Sequence, residues 1–293
     1  MNILVFDIGG TSIKYGNCIN NVLENVREIP TDAKKGGPHI LETLISLAEK
    51  EKNFDAIGIS TAGQVHAKEG FIIYANQNIP GYTGIQLQKT LEEKFHVPVS
   101  VENDVNAAAM GEAIYGAGKD FPDFLMLTYG TGVGGASIVD RKVYYGSSYS
   151  ASEFGAIITH SDARLSGTDY FDGCYEKYAS TTGLVKLAME YDTSLDNGKK
   201  IFSNLHDENV MKILDRWVDE IMLGLATLIH IYNPSSVILG GGIMEQPLIN
   251  ELINQKKERF IMPSFAHVNI IPALLGNKAG LLGANYQACL KCK

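Results

Sequence analysis

The amino-acid sequence predicts an α/β protein made of two lobes. Short apolar strands alternate with amphipathic helices along the 293 residues, which is the pattern of an α/β fold. The opening order of elements also recurs, because a strand, a glycine turn and a second strand occur at residues 2–17 and again at 124–145. This repeat predicts that each lobe begins in the same way.

The first half of the chain is predicted to contain a hairpin, two further strands and three helices. Apolar runs mark the strands, helical spacing of apolar side chains marks the helices, and Pro80-Gly81 interrupts either period. In chain order the predicted elements are strands Asn2–Phe6 and Ser12–Asn17, helix Ile40–Lys50, strand Ala56–Ser60 ending at Thr61-Ala62-Gly63, loop Asn76–Tyr82, helix Ile85–Phe95, a strand of alternating valines at 97, 99 and 101 that ends at Glu102, and the helix-like run Val105–Tyr115.

Asn103 and Asp104 stand at the exit of that last strand, just before the following helix. A carboxylate fixed there can accept a proton from a hydroxyl group, which is the role of the base in phosphoryl transfer. Asp and Asn are also frequent N-caps, and taken alone these residues favour Asp104 as a helix cap without a chemical role. These residues by themselves leave both interpretations open.

The segment Lys119–Asp123 interrupts the apolar pattern and is the predicted boundary between the lobes. Pro234 ends a long helix in the second half, since proline cannot continue one. The predicted elements there are strand Phe124–Tyr129, a glycine turn at 130–135, strand Ala136–Tyr145, helices Tyr178–Tyr191 and Val210–Tyr232, strand Ser236–Leu239, helix Leu248–Arg259, strand Val268–Ile271 and helix Gly280–Cys289.

The composition disfavours some partners and compartments. The net charge is −8 and the pI about 5.4, so bulk charge does not favour nucleic acid or an anionic membrane as a partner. No apolar run has the length of a membrane span, and residues 1–8 have the pattern of a buried strand rather than a leader, so we expect a cytoplasmic protein. The four cysteines are too few and too scattered for a disulfide framework, and we expect Cys289 and Cys292 to be free thiols.

Two glycine turns have the composition of a phosphate cradle, in which consecutive backbone N–H groups form an anion nest. Lys14 lies close to the first turn, and Asp7 just before it can hold Mg²⁺ directly or through water. A single turn of this kind favours a plain tight hairpin, but the two turns together with a third glycine site, Gly240-Gly241-Gly242, favour nucleotide binding. The residues of the two cradles are Gly9, Gly10 and Thr11 in the first and Gly130, Thr131, Gly132 and Gly134 in the second.

Two common nucleotide motifs do not describe these turns. Residues 130–135 match G-x-G-x-x-G, but the dinucleotide fingerprint requires a helix to begin within the glycines. The sequence after Gly135 alternates like a hairpin strand instead, which disfavours a Rossmann fold. A Walker A loop is absent from the sequence.

The three glycine sites in this order, with Glu102-Asn103-Asp104 between the first two, resemble the ROK family of sugar kinases and repressors. The resemblance runs from Asp7-Ile8-Gly9-Gly10-Thr11 to Asn277-Lys278-Ala279-Gly280-Leu281-Leu282-Gly283-Ala284. It implies an actin-like, ribonuclease-H-like pair of lobes that closes over ATP, with the active-site cleft between the lobes. We accordingly expect residues 1–118 to form the N-terminal lobe, with helix 279–293 packed on it, and residues 119–278 to form the C-terminal lobe.

By this resemblance Asp104 is the catalytic base, which takes the proton from a sugar hydroxyl as that hydroxyl attacks the γ-phosphate of ATP. The residues expected to contact the sugar are Gly63, Asn78, Asn103, Asp104, Glu153 and Glu176, the last being the glutamate of the family's G-C-x-E. The residues expected to bind ATP and Mg²⁺ are Asp7, Gly9, Gly10, Thr11, Lys14, Gly130, Thr131, Gly132, Gly134, Gly240, Gly241 and Gly242.

The chain departs from the family pattern next to Glu153. Many members carry E-x-G-H, whose histidine contacts the sugar and ligates zinc with three cysteines, whereas this chain has Glu153-Phe154-Gly155-Ala156 and keeps only Cys174. We therefore expect no zinc site, and expect His160 nearby to be a surface or core residue. The alanine also removes a large side chain near the anomeric carbon, which we infer opens room for a substituent there.

The pattern of the whole chain is similar to the zinc-less β-glucoside kinases of this family. It predicts a homodimeric enzyme that phosphorylates the 6-hydroxyl of the glucose unit of a β-glucoside or cellobiose. A kinase for glucose or for N-acetylmannosamine is the alternative. A sugar-sensing protein without turnover is a third reading, against which the intact set Asp7, Lys14, Asn103 and Asp104 argues, since a sensor has no chemical need for a base.

Overall fold

The computed structural model of the chain describes residues 1–51 and 53–293. The strands are β1 (Asn2–Ile8), β2 (Ser12–Ile19), β3 (Val22–Pro30), β4 (Ala56–Thr61), β5 (Gln64–His66), β6 (Phe71–Tyr74), β7 (Val99–Asn103), β8 (Phe124–Tyr129), β9 (Val133–Val139), β10 (Lys142–Val143), β11 (Ser236–Gly240) and β12 (Asn269–Pro272). The α-helices are α1 (Gly37–Ala48), α2 (Leu87–Phe95), α3 (Asp104–Tyr115), α4 (Ser161–Ser166), α5 (Tyr175–Ala179), α6 (Thr181–Tyr191), α7 (Gly198–Ser203), α8 (Glu208–Tyr232), α9 (Pro247–Phe260) and α10 (Ala279–Lys291).

The chain separates into two compact units. The first consists of Met1–Lys119, Lys142–Ala151 and Asn277–Lys293, and the second of Asp120–Arg141 and Ser152–Gly276. These units end within two residues of the predicted lobe boundaries, but Lys142–Ala151 groups with the first unit although it lies between the two segments of the second.

A five-stranded mixed sheet in the order β3-β2-β1-β4-β7 forms the centre of the first unit. β1, β2 and β3 are antiparallel neighbours, whereas β1, β4 and β7 run parallel. Apolar side chains of these strands, among them Phe6, Ile59 and Val99, form a buried core with α1 and α2. Because the three parallel strands point the same way, their carboxyl ends lie at one edge of the sheet.

β7 is buried on both faces, which the alternating valines did not predict. Ser100 and Glu102 are buried together with Val99 and Val101. α2, α10 and β5 all pack against this strand, so neither of its faces is left to water. A parallel strand in this position is buried whether or not its sequence alternates.

An edge strand and a short hairpin of the first unit were not predicted from the sequence. β3 pairs with β2, yet most of its residues are exposed, so it lacks an apolar pattern. β5 and β6 form a two-stranded hairpin of three and four residues. β3 is defined by backbone pairing rather than burial, and the two strands of the hairpin bury only Val65 and Ile72, so neither leaves a clear pattern in the sequence.

Helix α10 packs tightly on α3 and β4 within the first unit. A Cβ atom at Gly283 would overlap the backbone carbonyl of Ala107 in α3, and one at Gly58 in β4 would overlap the carbonyl of Ala284 in α10. The backbones approach so closely because glycine has no side chain at these contacts. This approach fixes α10 against the sheet of the first unit.

The second unit repeats the plan of the first. β8 and β9 form an antiparallel hairpin, and β8, β11 and β12 run parallel. The predicted repeat of strand, glycine turn and strand is therefore confirmed. Most of the buried side chains of this unit pack around α8, where Trp217 is enclosed and donates a hydrogen bond from Nε1 to the carbonyl of Ser180 (3.1 Å). Within residues 1–51 and 53–293, no helix combines the length and apolarity that crossing a membrane requires.

Two predicted elements of the second unit are wrong in their bounds. The helix predicted over Tyr178–Tyr191 is two helices, α5 and α6, which are separated by Ser180. The backbone of Ser180 is extended, and its hydroxyl oxygen caps α6 by accepting a hydrogen bond from the Gly183 N–H (3.1 Å). The strand predicted over Ala136–Tyr145 begins earlier, at Val133, and ends at Val139. Asp140 and Arg141 then adopt the left-handed conformation of a hairpin turn, with φ of 49° and 61°.

We expect the close contact of α10 with α3 to make Gly283→Ala destabilising by about 1–3 kcal/mol, because the added methyl group forces two packed backbones apart. Gly198→Ala is the matched control, since a Cβ there meets nothing within 4 Å. The control should change stability by no more than about 0.5 kcal/mol. Urea unfolding followed by circular dichroism measures both variants, and equal midpoints would contradict the packing argument.

Candidate active site

Three polar residues meet at the carboxyl edge of the first unit's sheet. Asp7 of β1 is paired in register with Ser60 of β4, and Ser60 is paired with Glu102 of β7. Ligand sites of α/β proteins commonly lie at this edge, where parallel strands end and loops begin. The candidate site of the first unit is built there.

The carboxylate of Asp7 is held by a hydrogen bond from Ser60, packs against Gly280 and lies near the charge of Lys14. Its Oδ1 accepts a hydrogen bond from the Ser60 hydroxyl (2.6 Å), and a Cβ at Gly280 of α10 would lie 2.9 Å from the same oxygen. Lys14 is its cross-strand partner on β2 and donates from Nζ to Oδ1 of Asn277 (3.0 Å). Burial raises the pKa of Asp7, while the Ser60 hydrogen bond and the Lys14 charge counteract that rise.

The first glycine turn is closed by its own backbone. The N–H of Gly9 donates to the carbonyl of Ser12 (3.0 Å), and Thr31 bonds to the turn twice, from its hydroxyl to the Gly9 carbonyl (2.7 Å) and from its N–H to the Thr11 carbonyl (3.0 Å). Gly10 and Thr11 are exposed at the tip. This is a rigid turn with an accessible backbone, as a phosphate cradle requires.

Asn103 caps the helix that begins at the end of β7. Its Oδ1 accepts hydrogen bonds from the N–H groups of Val105 (3.0 Å) and Asn106 (3.1 Å), and its backbone is extended, as in an N-cap. Its Nδ2 donates to the carbonyl of Gly63 (2.9 Å) and to Oδ1 of Asp104 (3.0 Å). The interpretation of Asp104 as the helix cap is therefore wrong, because Asn103 fills that role.

Asp104 occupies the first turn of α3, where its carboxylate is held by two donors. Oδ1 accepts from Nδ2 of Asn103 (3.0 Å) and from the N–H of Val105 (2.9 Å). Burial and the nearby charge of Asp7 raise the pKa of Asp104 to about 7, and those two hydrogen bonds oppose the rise. A carboxyl group with such a pKa can exchange a proton near neutral pH, which suits a general base.

Glu102 lies behind this carboxylate and is itself buried, with 2% of its surface exposed. Oε1 accepts from the N–H of Asn103 (2.9 Å) and from Nδ2 of Asn106 (3.2 Å), and Oε2 accepts from the Tyr145 hydroxyl (2.6 Å). Burial raises the pKa of Glu102 to about 7, although all three hydrogen bonds lower it. The segment of β7 and α3 thus carries two perturbed carboxyl groups.

Of the other residues of the first unit that are predicted to contact the sugar, Gly63 adjoins Asn103 and Asp104, whereas Asn78 makes no hydrogen bond to them in the described part of the chain. The carbonyl of Gly63 is bound by Asn103, so Gly63 adjoins the site. Asn78 is exposed in its loop, where its N–H bonds to Oδ1 of Asn76 (3.0 Å), and in the described part of the chain its side chain makes no hydrogen bond to Asn103 or Asp104. Asn78 therefore stays a prediction.

The second glycine turn lies in the second unit and is likewise closed by backbone. The N–H of Gly130 donates to the carbonyl of Gly132 (3.0 Å), and the Thr182 hydroxyl of α6 donates to the carbonyl of Thr131 (2.8 Å). Gly130 and Thr131 are exposed. Gly134 lies beyond the turn within β9, so it belongs to the strand rather than to the tip.

Glu176 of α5 sits against this turn. Its Oε2 accepts a hydrogen bond from the N–H of Val133 (3.4 Å). A Cβ at Gly132 would lie 2.5 Å from the same oxygen, and a Cβ at Gly155 would also be in close contact with it. Burial raises the pKa of Glu176, and the nearby charge of Glu153 adds to that rise. The two predicted glutamates are therefore neighbours, with Glu153 exposed and Glu176 half-buried.

The third glycine site follows β11 and lies beside the second turn. Gly240 is paired in register with Thr128 of β8. Gly241 has φ of +98°, and a Cβ there would overlap the backbone of Tyr129, so only glycine fits. A Cβ at Gly242 would meet nothing within 4 Å. The second glycine turn, which follows β8, and the Gly240-Gly241-Gly242 loop, which follows β11, therefore leave the same edge of the second unit's sheet.

The surroundings of Cys174 bear on the expected lack of zinc. Its thiol donates to the carbonyl of Ala156 (3.3 Å), the residue that stands where many ROK members have histidine. The ring of His160 stacks on Tyr178 with centroids 3.6 Å apart, and its Nε2 lies 3.4 Å from Oε2 of Glu220. Within residues 1–51 and 53–293, no group of three or more His, Cys, Asp or Glu side chains has the geometry of a metal site.

Several residues of the site were not singled out from the sequence. Thr31 binds the first turn, and Ser60 binds Asp7. Glu102 and Tyr145 bind each other behind Asn103. The hydroxyl of Tyr82, buried in the loop after Pro80-Gly81, hydrogen-bonds that of Thr61 (2.7 Å), and the Asp104 charge contributes to its raised pKa. Ser60 and Glu102 each end a predicted strand, which is the signal that could have found them.

Comparison with known proteins shows the family and the fold. The family model described as ROK matches residues 3–289. An uncharacterized protein of Clostridium perfringens is 38% identical in an alignment of 295 positions, which covers 97% of this chain and 96% of that protein. A β-glucoside kinase of Listeria monocytogenes is 31% identical in an alignment of 298 positions, which covers 98% of this chain and 97% of that protein.

Two solved structures resemble the chain along its whole length. A proposed N-acetylmannosamine kinase of Listeria monocytogenes has a TM-score of 0.90 at 28% identity, with 100% of both chains covered. A ROK family glucokinase of Streptomyces griseus, in complex with glucose and AMPPNP, has a TM-score of 0.84 at 29% identity, covering 99% of this chain and 100% of that one. The predicted two-lobe, actin-like α/β fold is confirmed by these similarities.

We expect two carboxyl groups of the protein to titrate near pH 7, those of Glu102 and Asp104. Carbon-13 NMR of protein labelled at the Asp and Glu carboxyl carbons measures the midpoints. Exposed carboxyl groups should titrate at about 4. Glu102→Gln and Asp104→Asn should each remove one of the two late transitions, and the completion of all carboxyl transitions below pH 5 would contradict the burial argument.

Proposed function

Because the chain belongs to the ROK family and is an ATP-dependent sugar kinase, we propose that it phosphorylates the 6-hydroxyl of the glucose unit of a β-glucoside or cellobiose. The observation that carries the chemistry is the carboxylate of Asp104, held by Asn103 and Val105 with a pKa of about 7 at the carboxyl edge of the sheet. The sugar assignment rests on Ala156 and on the similarity to a β-glucoside kinase.

Asp104 acts as the base in this proposal. It accepts the proton of the sugar 6-hydroxyl as that oxygen attacks the γ-phosphorus of ATP, the bond between the γ-phosphorus and the bridging oxygen breaks, and ADP leaves. A positioned base contributes about 10²–10⁴ in rate. The amide of Asn103 is oriented by its bonds to Gly63 and α3. By the family resemblance it would contact a neighbouring sugar hydroxyl. Because both of its hydrogens and its oxygen are already engaged, the sugar would share one of these bonds.

The glycine turns fit the phosphates of ATP. A Cβ at Gly10, Gly130 or Gly242 would meet nothing within 4 Å, so a ligand can approach the backbone at each of these positions. Lys14 adds a positive charge beside the first turn, and the Gly240-Gly241-Gly242 loop is assigned to the adenosine side. These assignments follow the family resemblance and stay proposals for this chain.

Asp7 fits a bound Mg²⁺, because carboxylate oxygens are the ligands this ion prefers and it commonly uses one or two of them with phosphate oxygens. Asp7 would hold the ion directly or through water. Bound Mg²⁺ neutralises charge on the phosphates during transfer. Ser60 and Lys14 would keep the Asp7 carboxylate oriented and ionised for that purpose.

The sugar specificity is assigned to the segment Glu153–Ala156. Glu153 and Glu176 would bind sugar hydroxyls, since carboxylates hold adjacent hydroxyl groups through paired hydrogen bonds. Ala156 is exposed, so no large side chain occupies the position of the family histidine. We assign this room to the aglycone of a β-glucoside.

Free glucose is the second candidate substrate, because the glucokinase of Streptomyces griseus resembles this chain over nearly its full length. N-acetylmannosamine is supported in the same way by the Listeria structure. A homodimer is also proposed, from the family resemblance alone. A sugar sensor without turnover would leave the position and perturbed pKa of Asp104 unexplained.

ATP consumption with Mg²⁺ should be faster with cellobiose and salicin than with glucose and N-acetylmannosamine. Ala156→His should shift the preference towards free glucose, because the imidazole would occupy the space assigned to the aglycone. Ile158→His, at another exposed position two residues away, is the control and should keep the native preference. Preference of the native protein for a free monosaccharide would sink the β-glucoside assignment and leave the kinase intact.

Asp104→Asn should lower kcat by about 10²–10⁴ while leaving sugar affinity within a few-fold, because the amide keeps the shape of the side chain but cannot take the proton. Steady-state kinetics and calorimetric titration with the sugar measure the two quantities. Asp120→Asn, at an exposed position, should behave as the native protein. A native protein that binds sugar but consumes no ATP with any acceptor would support the sensor instead.

A further inference from the structure

Glu102 is a buried carboxyl group that the proposed reaction does not use. It precedes Asn103 and Asp104 in the chain, and all three of its hydrogen bonds come from neutral donors: a backbone N–H, a side-chain amide and a phenol. An ionisable group at such a position costs stability unless its hydrogen bonds are satisfied. A leucine or valine would fill the interior of the sheet without that cost.

The hydrogen bonds of Glu102 form a closed ring with the residues beside the base. Asn106 donates from Nδ2 to Oε1 of Glu102 and from its N–H to Oδ1 of Asn103, while the N–H of Asn103 donates to the same Oε1. Asn103 in turn holds Oδ1 of Asp104. Glu102 is therefore linked to Asn103 at two points, directly through the backbone N–H of Asn103 and indirectly through Asn106, whose N–H binds the Asn103 amide oxygen.

Tyr145 fixes the other oxygen of Glu102 from a distant part of the chain. Its hydroxyl donates to Oε2 (2.6 Å), and its oxygen is also hydrogen-bonded by Gln287 of α10. Tyr145 lies on the segment Lys142–Ala151, which belongs to the first unit although the chain on both sides of it belongs to the second.

That segment is anchored beside Tyr145 by two further contacts. The ring of Tyr149 lies 4.1 Å from that of His66, centroid to centroid, and 5.4 Å from that of Tyr145. The Ser150 hydroxyl donates to Oε1 of Gln64 (3.0 Å). Tyr149 has φ of 60°, a left-handed conformation that is rare for a bulky residue and is kept only where surrounding contacts hold it.

From these contacts we infer that Glu102 and Tyr145 are positioning residues of the proposed kinase reaction. Tyr145 holds Oε2 of Glu102, and Oε1 of Glu102 holds Asn103 and Asn106. Asn103 holds the carboxylate of Asp104 and, by the proposed function, would contact the acceptor sugar. Neither residue touches the reacting atoms. This inference rests on the proposed function, because it assigns the two residues to the site where Asp104 acts.

The Tyr145→Phe variant tests this series of hydrogen bonds, because it removes one hydroxyl group and keeps the ring against Tyr149. It leaves Oε2 of Glu102 without its donor, so the carboxylate is free to turn and to release Asn103. We expect kcat with cellobiose to fall about 10-fold or more and the dissociation constant for cellobiose, measured calorimetrically without ATP, to rise several-fold. The KM for ATP should stay within twofold. Glucose replaces cellobiose if the native protein prefers it.

Tyr144→Phe is the matched control, because Tyr144 is the preceding residue of the same segment and 52% of its surface is exposed. It should match the native protein in every measurement. Glu102→Gln keeps an oxygen that can accept from Asn103 and Asn106, so it should retain more activity than Glu102→Ala. This rescue distinguishes positioning from a purely structural role. If the role were purely structural, the variants would change the thermal unfolding temperature, but the folded protein would keep its kcat and its affinity for the sugar.

The outcomes separate the two proposals. If the native protein turns over sugar and folded Tyr145→Phe matches it in kcat and in sugar affinity, the positioning inference is overturned and the kinase assignment stands. If the native protein neither binds nor phosphorylates any of the four acceptors, the proposed function fails and the inference fails with it. Loss of kcat and of sugar affinity in Tyr145→Phe, with Tyr144→Phe unchanged, supports the inference.

Discussion

The hydrogen bonds of Asn103 hold the polar edge of the first unit together. Its amide oxygen caps α3, its amide nitrogen binds the loop after β4 and the carboxylate of Asp104, and its backbone N–H binds Glu102. A buried donor or acceptor that loses its partner costs about 1–3 kcal/mol. The start of α3, the loop after β4 and the carboxylate of Asp104 are therefore joined by a single side chain.

Around Asn103 the chain concentrates negative charge at one place. Asp7, Glu102 and Asp104 all come from parallel strands or from the helix that follows one, and their pKa values are all raised by burial. Hydrophobic residues would make this edge more stable. Perturbed carboxyl groups are instead typical of functional sites, where stability is exchanged for a group that can move a proton near neutral pH.

The sequence was sufficient to predict the fold class, the repeat and the edge where the site lies, because apolar runs and glycine turns follow directly from burial and backbone geometry. Its failures have particular causes. β3 is an exposed edge strand and carries no apolar pattern, and the break at Ser180 depends on a single hydroxyl cap. The choice between base and cap at Asp104 needed coordinates, since adjacent Asn and Asp are equally good caps and only Asn103 takes that position.

The partners of the site could not be predicted for a different reason. Tyr145 reaches Glu102 from 43 residues away, and Gly280 packs on Asp7 from the helix α10. Neither pairing follows from spacing or periodicity, because both depend on how the chain returns to the first unit. Sequence patterns record which residues are buried, but they do not record which distant residues meet.

The place of α10 in the first unit has a consequence for how the protein is made. The ribosome synthesises β1, β4, β7 and α3 early, then the whole of the second unit, and only afterwards the helix whose Gly283 packs on Ala107 and whose Gly280 packs on Asp7. Domains commonly fold as they emerge, the earlier ones first. Here the unit begun first is completed last, so a nascent chain carries the carboxylate edge without its covering helix until residues 279–291 leave the ribosome.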